Sequence, residues 1–393
     1  MRAIVDLHTH SRFSRATSPR MDFEGLTRAA RQKGVDLLGT GDGTHPEWLA
    51  EASRQLQPAG DGVYAAGGVR FLVTGEVSVS WREEERGRRI HLLLLLPSIR
   101  AAEAVSKSLS RMGAVRSDGR PSLRASAKDV VDAIWAEAPE TVVIPAHVWT
   151  PWYSVFGARS GFDALDACFG PYAERITAIE TGLSSDPAMC RRVSALDRLT
   201  LVSFSDAHSP ERLGREATIL RLDEISFPAV ASALTGGAGC VGTIELFPEE
   251  GKYYHDGHRA CGVSLSPDQA RGLAGRCPAC GKPLTMGVLH RVEQLADRPL
   301  PVGEPPSTKV MPLDEIVRQA LGLSAGSRAV SSRVAELVAA FGSELSILID
   351  RPIEELRQRA SGAVADAVAA VRAGHVVLIP GYDGVYGKAR IVV

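Results

Sequence analysis

Histidines and carboxylates recur along this 393-residue chain at places where a metal ion could collect them. Asp6-Leu7-His8-Thr9-His10 opens the series. In an extended segment His8 and His10 point to the same side, so both can bind one cation. Asp42 and His45 come next, then Glu76 in Thr-Gly-Glu, His91, His147 in Pro-Ala-His, and Asp206 with His208 in Phe-Ser-Asp-Ala-His. Each has an ordinary alternative: a His-x-His pair arises by chance, and a strand-end aspartate often caps the next helix. Their joint placement points to a multinuclear metal site. Two cations a few ångströms apart bind a phosphate ester, generate hydroxide near neutral pH and neutralise the leaving oxygen, with no serine or cysteine nucleophile. Mixed imidazole and carboxylate ligands suit Zn, Mn or Fe better than Ca.

Elements able to position such a set are legible in the first three-fifths of the chain. Short Val-, Ile- and Leu-rich runs predict strands at Ala3–Leu7, Asp36–Gly39, Phe71–Thr74, Arg89–Leu96, Thr141–Ala146, Thr177–Glu180 and Thr200–Ser205. Helical patterns fall between them at Phe23–Lys33, Ala101–Arg111, Ala127–Ala136 and Pro187–Asp197. This alternation predicts an α/β fold with a mainly parallel sheet, closed or nearly closed into a seven-stranded (β/α) barrel. The carboxyl ends of barrel strands share one face, so the strands other than Thr177–Glu180 deliver a histidine or carboxylate to one place.

Near Leu246 the character changes. Lys252 to Arg298 is turn-rich, with seven basic residues against four acidic, and holds Cys261, Cys277 and Cys280. His258-x-x-Cys261 followed by Cys277-Pro-Ala-Cys280-Gly has the spacing of a small zinc ribbon or knuckle, with His255 as the alternative to His258. A redox cysteine pair fits less well, because no βαβ frame surrounds it. A Pro-rich linker, 299–306, leads to a helical stretch from Pro312 to about Arg372. A strand His375–Ile379, a Gly-Tyr-Asp-Gly turn and a last apolar strand at 389–393 end the chain. The expected division is therefore 1–247, a barrel; 248–300, a zinc-binding module; and 301–393, a mainly helical region. Cys168, Cys190 and Cys240 read as buried thiols.

Composition is that of an ordinary globular protein, 45% hydrophobic and 23% charged. The net charge of −1 leaves any nucleic-acid contact to local patches. One such patch is Arg100 to Lys128, with seven basic residues against two acidic. Within it Arg116, Arg120 and Arg124 are candidates for phosphate contact, a solvated helix face being the alternative. Arg82–Arg89 mixes both signs and reads as a surface turn. Trp149, Trp152 and Tyr153 follow His147 and could stack on a base or pack beneath their loop. Gly182, Ser184, Ser185 and Asp186 offer backbone, hydroxyls and a carboxylate able to read a base edge. Ser185-Asp186-Pro187 is equally a good helix start. The opening residues lack an apolar signal-peptide core, and no run of about 18 apolar residues predicts a membrane span; we expect a cytoplasmic monomer.

Asp-Leu-His-Thr-His-Ser, the Gly-Glu after a strand, the central histidine and the late Ser-Asp-Ala-His resemble the PHP superfamily of phosphoesterases. That resemblance implies a distorted seven-stranded barrel with two or three divalent metals (Zn, Mn or Mg). It implies as ligands His8, His10, Glu76, His91, His147, Asp206 and His208, with catalysis centred on Asp206, His208 and Asp42. Where the family usually has Thr-Asp-His, this chain has Thr40-Gly41-Asp42. By position Asp42 takes the ligand role, and His45 stands in reserve. The appended Asp256-Gly-His-Arg-Ala-Cys-Gly-Val and Cys-Pro-Ala-Cys-Gly-Lys, with the terminal Pro380-Gly-Tyr-Asp-Gly-Val-Tyr-Gly-Lys, are similar to the endonuclease Q family across nearly the whole chain. The implied function is hydrolysis of DNA on the 5′ side of deoxyinosine, deoxyuridine, xanthosine or abasic sites, so the implied partner is damaged DNA. A PHP-type phosphatase acting on histidinol phosphate or a nucleotide is the alternative. The zinc module and basic loop weigh against it, since a small monoester needs neither.

Overall fold

The computed structural model describes residues 1–236, 238–303 and 306–392; residues 304 and 305 of the expected linker and residue 393 of the expected last strand lie outside it. Five strands form its centre: β1 (Arg2–Asp6), β2 (Leu37–Gly39), the long β5 (Val69–Glu83) and β6 (Arg86–Leu96), and β8 (Val142–Pro145). Between them lie β3 (Gln57–Gly60), β4 (Val63–Ala66) and β7 (Ser122–Leu123). The run Leu92–Leu96 shows why β6 is apolar on both faces. Leu92, Leu94 and Leu96 pack outward against the helical layer, while Leu93 and Leu95 pack inward with Val5, Leu7, Ile144 and Phe204. Burying each such side chain stabilises by about 1.5–3 kcal/mol.

The sheet is mixed, not mainly parallel. β1, β2 and β5 run parallel, but β5 and β6 form a long antiparallel hairpin through a turn at Glu84-Glu85, and β6 pairs antiparallel with β8. The charged segment Arg82–Arg89 is thus the tip of two strands. β9 (Ala178–Glu180) and β10 (Thr200–Val202) form a separate parallel pair. Single contacts, not ladders, tie that pair to the rest: Val148 N–H donates to Glu180 O at 3.0 Å, and His10 N–H to Ala207 O at 3.0 Å. The expected closed seven-stranded barrel is therefore not continuous. Two strands that sequence reading missed, β11 (Ala217–Arg221) and β12 (Cys240–Glu245), extend the sheet antiparallel from β1. Each is broken by a threonine and ends on a charged residue, and β12 also holds a glycine, so they lack the solid apolar run of a strand buried on both faces. The expected helix Pro187–Asp197 stops at Cys190, because Arg191 turns inward and donates to Leu196 O and Leu199 O.

Beyond Leu246, β13 (Asp256–His258) and β14 (Val263–Leu265) form a hairpin, and helix Val288–Leu295 follows. β15 (Ser307–Lys309) joins the main sheet parallel to β12. Helices Leu313–Ala320, Arg328–Phe341, Ile353–Arg359 and Gly362–Arg372 pack against the helical layer outside the main sheet and share its core. Lys33 and Glu344, at 2.7 Å, bridge the two. The hairpin of β16 (Val376–Ile379) and β17 (Lys388–Ile391) ends the fold. Among the described residues, no helix is long and apolar enough to cross a membrane.

Glu216 and Glu245, both buried, meet at Ser203, whose hydroxyl reaches each at 3.1 and 3.2 Å. Burial pushes the Glu245 carboxyl up to about 8 and raises Glu216 well above the usual carboxylate range. A carboxyl whose folded pKa is raised binds more protons folded than unfolded, so its stabilisation is full below about 4.5 and is lost as pH climbs through about 8. Glu245→Gln should therefore flatten the fall in melting temperature across that window. A slope equal to the parent's would contradict the pair's protonation.

Candidate metal centre

Glu76, midway along β5, meets His8 and His10 from the segment after β1 and Asp206 from the segment after β10, with donor atoms within 4.8 Å of one another. Glu76, His91 and His147 form an adjoining set by the same measure. Glu76 belongs to both. Its Oε2 lies 3.2 Å from His10 Nε2 and 3.5 Å from His8 Nε2, and its Oε1 lies 2.6 Å from His91 Nδ1 and 3.3 Å from His147 Nε2. The ladder explains this. Glu76 faces Leu93 and Ser78 faces His91, so Glu76 and His91 are diagonal neighbours on one face of the hairpin. Asp206 Oδ1 closes the first set at 3.1 Å from His10 Nε2.

The backbone is bent to present these groups. His147 and Asp206 have φ of 31° and 45°, and Asp42 has 49°, values that cost a non-glycine residue about 1–3 kcal/mol and cluster at functional sites. Gly182 is needed for close approach: a Cβ there would lie 2.5 Å from His147 Cβ.

The surrounding groups fix the imidazoles. Glu180 accepts from His8 Nδ1 at 2.9 Å and from the His147 backbone N–H at 2.8 Å. That leaves the buried His8 Nε2 without a hydrogen-bond partner and aimed into the cluster, the arrangement of a metal-ligating histidine whose other nitrogen is held by a carboxylate. Sequence reading missed Glu180, having assigned the end of β9 no part in the centre; its position at a strand end was the available signal. Asp6 is likewise buried, accepting from Ser205 N–H and Gly214 N–H, and ties β1 to the loop carrying Asp206.

Several expected residues fall elsewhere. Asp42 lies outside both donor sets. Its oxygens accept from Ser11 N–H and hydroxyl and from the Ser14 hydroxyl, and Oδ1 stands 3.2 Å from His10 Nδ1, so it orients His10. His45 is turned away from the centre. It caps helix Pro46–Gln55, accepting from Trp48 N–H, and its other nitrogen meets Arg116 O. His208 also lies outside the sets, its ring 4.3 Å from that of His10, facing the cavity beside the cluster. Arg120 is half-buried and turned toward the centre, where its Nη1 donates to Glu76 Oε2 at 3.1 Å. Arg116 and Arg124 are exposed.

Burial disfavours charge throughout, yet Glu180 and Glu76 hold the His8 imidazolium well above the ordinary histidine range, and Asp206, Asp42 and Glu76 do the same for His10. Burial also opposes ionisation of Glu76, but His91, Arg120 and His8 draw its carboxyl well below the usual range. His91, by contrast, is pushed down to about 4, chiefly by burial. The cluster attracts positive charge, and its donors fit divalent cations.

A cavity of about 720 Å³ opens over the centre, walled by Trp152, Tyr153, Tyr253 and Tyr386 and by Arg212, Arg215 and Lys252. Gly182 and Ser184 line it, but Ser185 and Asp186 do not. Ser185 donates to Thr181 O, and Asp186 caps helix Pro187–Cys190 and pairs with Lys309 at 2.8 Å. Trp149 is 1% exposed, its indole N–H directed to the Cys190 sulfur, so it packs beneath the loop and cannot stack on a ligand. Asp186→Ala should consequently cost about 1 kcal/mol of stability and affect every substrate equally. Loss confined to base-bearing substrates would instead restore it as a reading group.

The second constellation also forms. His258, Cys261, Cys277 and Cys280 bring one donor atom each within 4.8 Å of one another, while His255 turns to Ser264. Burial opposes it, but the backbone N–H groups of Ala279 and Cys280 draw the Cys277 thiol down to about 7, favouring the thiolate that binds metal.

These features define a class: an α/β protein with an imidazole–carboxylate donor cluster gathered on the β5–β6 hairpin and the segments after neighbouring strands, and a separate thiolate–imidazole module. Over all its described length the fold matches the crystal structure of the lesion-specific endonuclease Q from Pyrococcus furiosus, with TM-score 0.89, 32% identity, and coverage of 100% of this chain and 96% of that one. The chain belongs to the endonuclease Q family. A structure of endonuclease Q with a 27-mer duplex substrate carrying an abasic lesion at the active site matches as well, with TM-score 0.89, 32% identity, and coverage of 100% and 97%. Residues 312–375 match the family described as the MJ0043 C-terminal domain. Uncharacterized protein MJ0043 of Methanocaldococcus jannaschii is 32% identical over 251 residues, 62% of this chain and 31% of that protein, so the match spans about a third of that relative's length. Uncharacterized protein YqxK of Bacillus subtilis is 28% identical over 375 residues, covering 93% and 91%.

Proposed function

We propose that this protein is a metal-dependent endonuclease that hydrolyses DNA on the 5′ side of a deaminated base or abasic site, acting as a cytoplasmic monomer. The observation that carries the reading is the carboxylate of Glu76 shared between two donor sets whose His91, His147 and Asp206 line an aromatic and cationic cavity. His8, His10, Asp206 and Glu76 Oε2 would hold one divalent cation (Zn, Mn or Mg), and Glu76 Oε1, His91 and His147 a second. Such ions supply an activated water and neutralise the leaving oxygen. Glu180 and Asp42 fix the ring orientations of His8 and His10. Arg120 compensates the buried charge of Glu76. His208, outside both sets and facing the cavity, is placed to exchange a proton with the reacting phosphate.

Recognition follows from the cavity wall. A lesion inside a duplex must be extruded to be read, at a cost of a few kcal/mol that is least at a damaged pair. Trp152, Tyr153, Tyr253 and Tyr386 offer faces for an unstacked base, Gly182 and Ser184 offer polar groups for its edge, and Arg212, Arg215 and Lys252 suit flanking phosphates. In this division of labour 1–247 cuts, 248–300 holds one structural zinc through His258, Cys261, Cys277 and Cys280, and 301–393 buttresses the barrel. The test is an end-labelled duplex with a single deoxyinosine, deoxyuridine, abasic site or no lesion, incubated with Mn²⁺ or Mg²⁺. One cut immediately 5′ of each lesion is expected. Equal cutting of undamaged duplex, or hydrolysis of histidinol phosphate alone, would overturn the reading.

A further inference from the structure

The loop 147–163 carries one proposed ligand and touches another. The hydroxyls of Ser154 and Thr150 stand 3.1 and 3.3 Å from His147 Nδ1, fixing the ring whose Nε2 faces Glu76. Tyr153 O accepts from His91 N–H at 2.9 Å, and its ring lies 4.8 Å from the His91 ring. The loop has no regular secondary structure to hold it. Its far limb is gripped from outside the barrel. Arg291, on helix Val288–Leu295, donates from Nε to Phe156 O at 2.8 Å and from Nη2 to Phe162 O at 3.0 Å, and pairs with Asp163. A planar guanidinium suits three such acceptors at once, and no other side chain replaces it. Arg159 returns the contact, donating to Leu284 O at 3.0 Å.

The helix bearing Arg291 is in turn locked to the thiolate–imidazole module. Asp256, on the strand that carries His258, accepts from Gly287 N–H at 2.7 Å and lies 2.6 Å from His290 Nδ1. Gly257 pairs with Thr285. A continuous path therefore runs from His258 through Asp256 and Arg291 to the loop, and so to His147 and His91. We infer that Arg291 is a positioning residue through which the Cys/His module holds the His91–His147 half of the metal centre in place, while the His8–His10–Asp206 half, anchored on β1 and by Glu180, does not depend on it. The module would thus govern occupancy of one donor set, besides folding itself.

This inference rests on the reading of Glu76, His91 and His147 as cation ligands, and its test separates the two. Full-length parent, Arg291→Ala, Arg291→Lys and Asp163→Ala would be compared by amide hydrogen exchange and by Mn²⁺ titration, neither of which needs DNA. Asp163 is exposed, so its variant leaves the fold unthreatened. Arg291→Ala should speed exchange across 148–163 and weaken one of two Mn²⁺ equivalents roughly tenfold, the other staying as in the parent. Lysine should rescue little, and Asp163→Ala should show a smaller shift in the same segment. Unchanged exchange across 148–163 in the variants would overturn the inference, as would equal weakening of both equivalents. Faster exchange with a parent that binds no second Mn²⁺ would uphold the clamp and refute the ligand reading instead.

Discussion

Glu76→Ala should abolish incision of a lesion-bearing duplex, with a loss of at least roughly 10²–10³-fold, because one side chain serves both donor sets. Few substitutions elsewhere should match it. Removing His208 leaves both sets intact, and removing His147 leaves the set around His8. The cause is electrostatic as much as geometric. Glu76 is fully buried against His8, His10 and Arg120, and without it the half-buried Arg120 loses its carboxylate partner while both donor sets lose an oxygen. Glu76→Gln, which keeps the shape, should lose metal and activity nearly as completely. The check is metal content beside single-turnover incision, with thermal unfolding to show that the fold survives. Retained activity in a folded Glu76→Ala protein would remove the centre from the chemistry.

Cys277→Ser should unfold the segment around β13 and β14 and empty it of zinc. The module's own apolar cluster is small: Ala270, Cys277 and Leu284, with Val263 and Leu265 half-buried against them. So few side chains cannot offset the ordering of their backbone, whereas a structural zinc contributes about 10–16 kcal/mol to such a unit. Elemental analysis of the whole chain should find one tightly held zinc in the parent, surviving dialysis against a mild chelator, and none in the variant. Amide exchange should rise across 256–285 while the interior of the main sheet stays protected. A variant that keeps its zinc and its protection would show that the four residues do not act as ligands.

Much of this architecture is legible without coordinates, and the failures share a physical cause. Strand β6 and helices Phe23–Lys33 and Ala127–Glu137 announce themselves by continuous apolar runs or helical periodicity. Strands β11 and β12 do not, because threonine, glycine and a terminal charge break up their short apolar runs. Pairing direction is not written in a strand's composition at all, so the β5–β6 hairpin was read as two parallel strands. At the site, residue type and placement on or just after apolar runs suffice to nominate His8, His10, Glu76, His91, His147 and Asp206, although Glu76 and His91 lie midway along β5 and β6 and not at strand ends. They cannot separate a donor that faces the cluster from one that supports a donor. Asp42 and Glu180 differ from Asp206 only in where their oxygens point, which is decided by Ser11, Ser14 and the His147 backbone. Arg120 looked like a surface cation because its partner, Glu76, lies far off in sequence.

The account stands on where the cations bind. Crystals of the whole 393-residue chain soaked in Mn²⁺ and measured at its absorption edge should show two anomalous peaks flanking Glu76. One should lie about 2.0–2.2 Å from His8 Nε2, His10 Nε2, Asp206 and Glu76 Oε2, and the other at like distance from Glu76 Oε1, His91 Nδ1 and His147 Nε2. Peaks confined to Cys261, Cys277 and Cys280, with none beside Glu76, would contradict it.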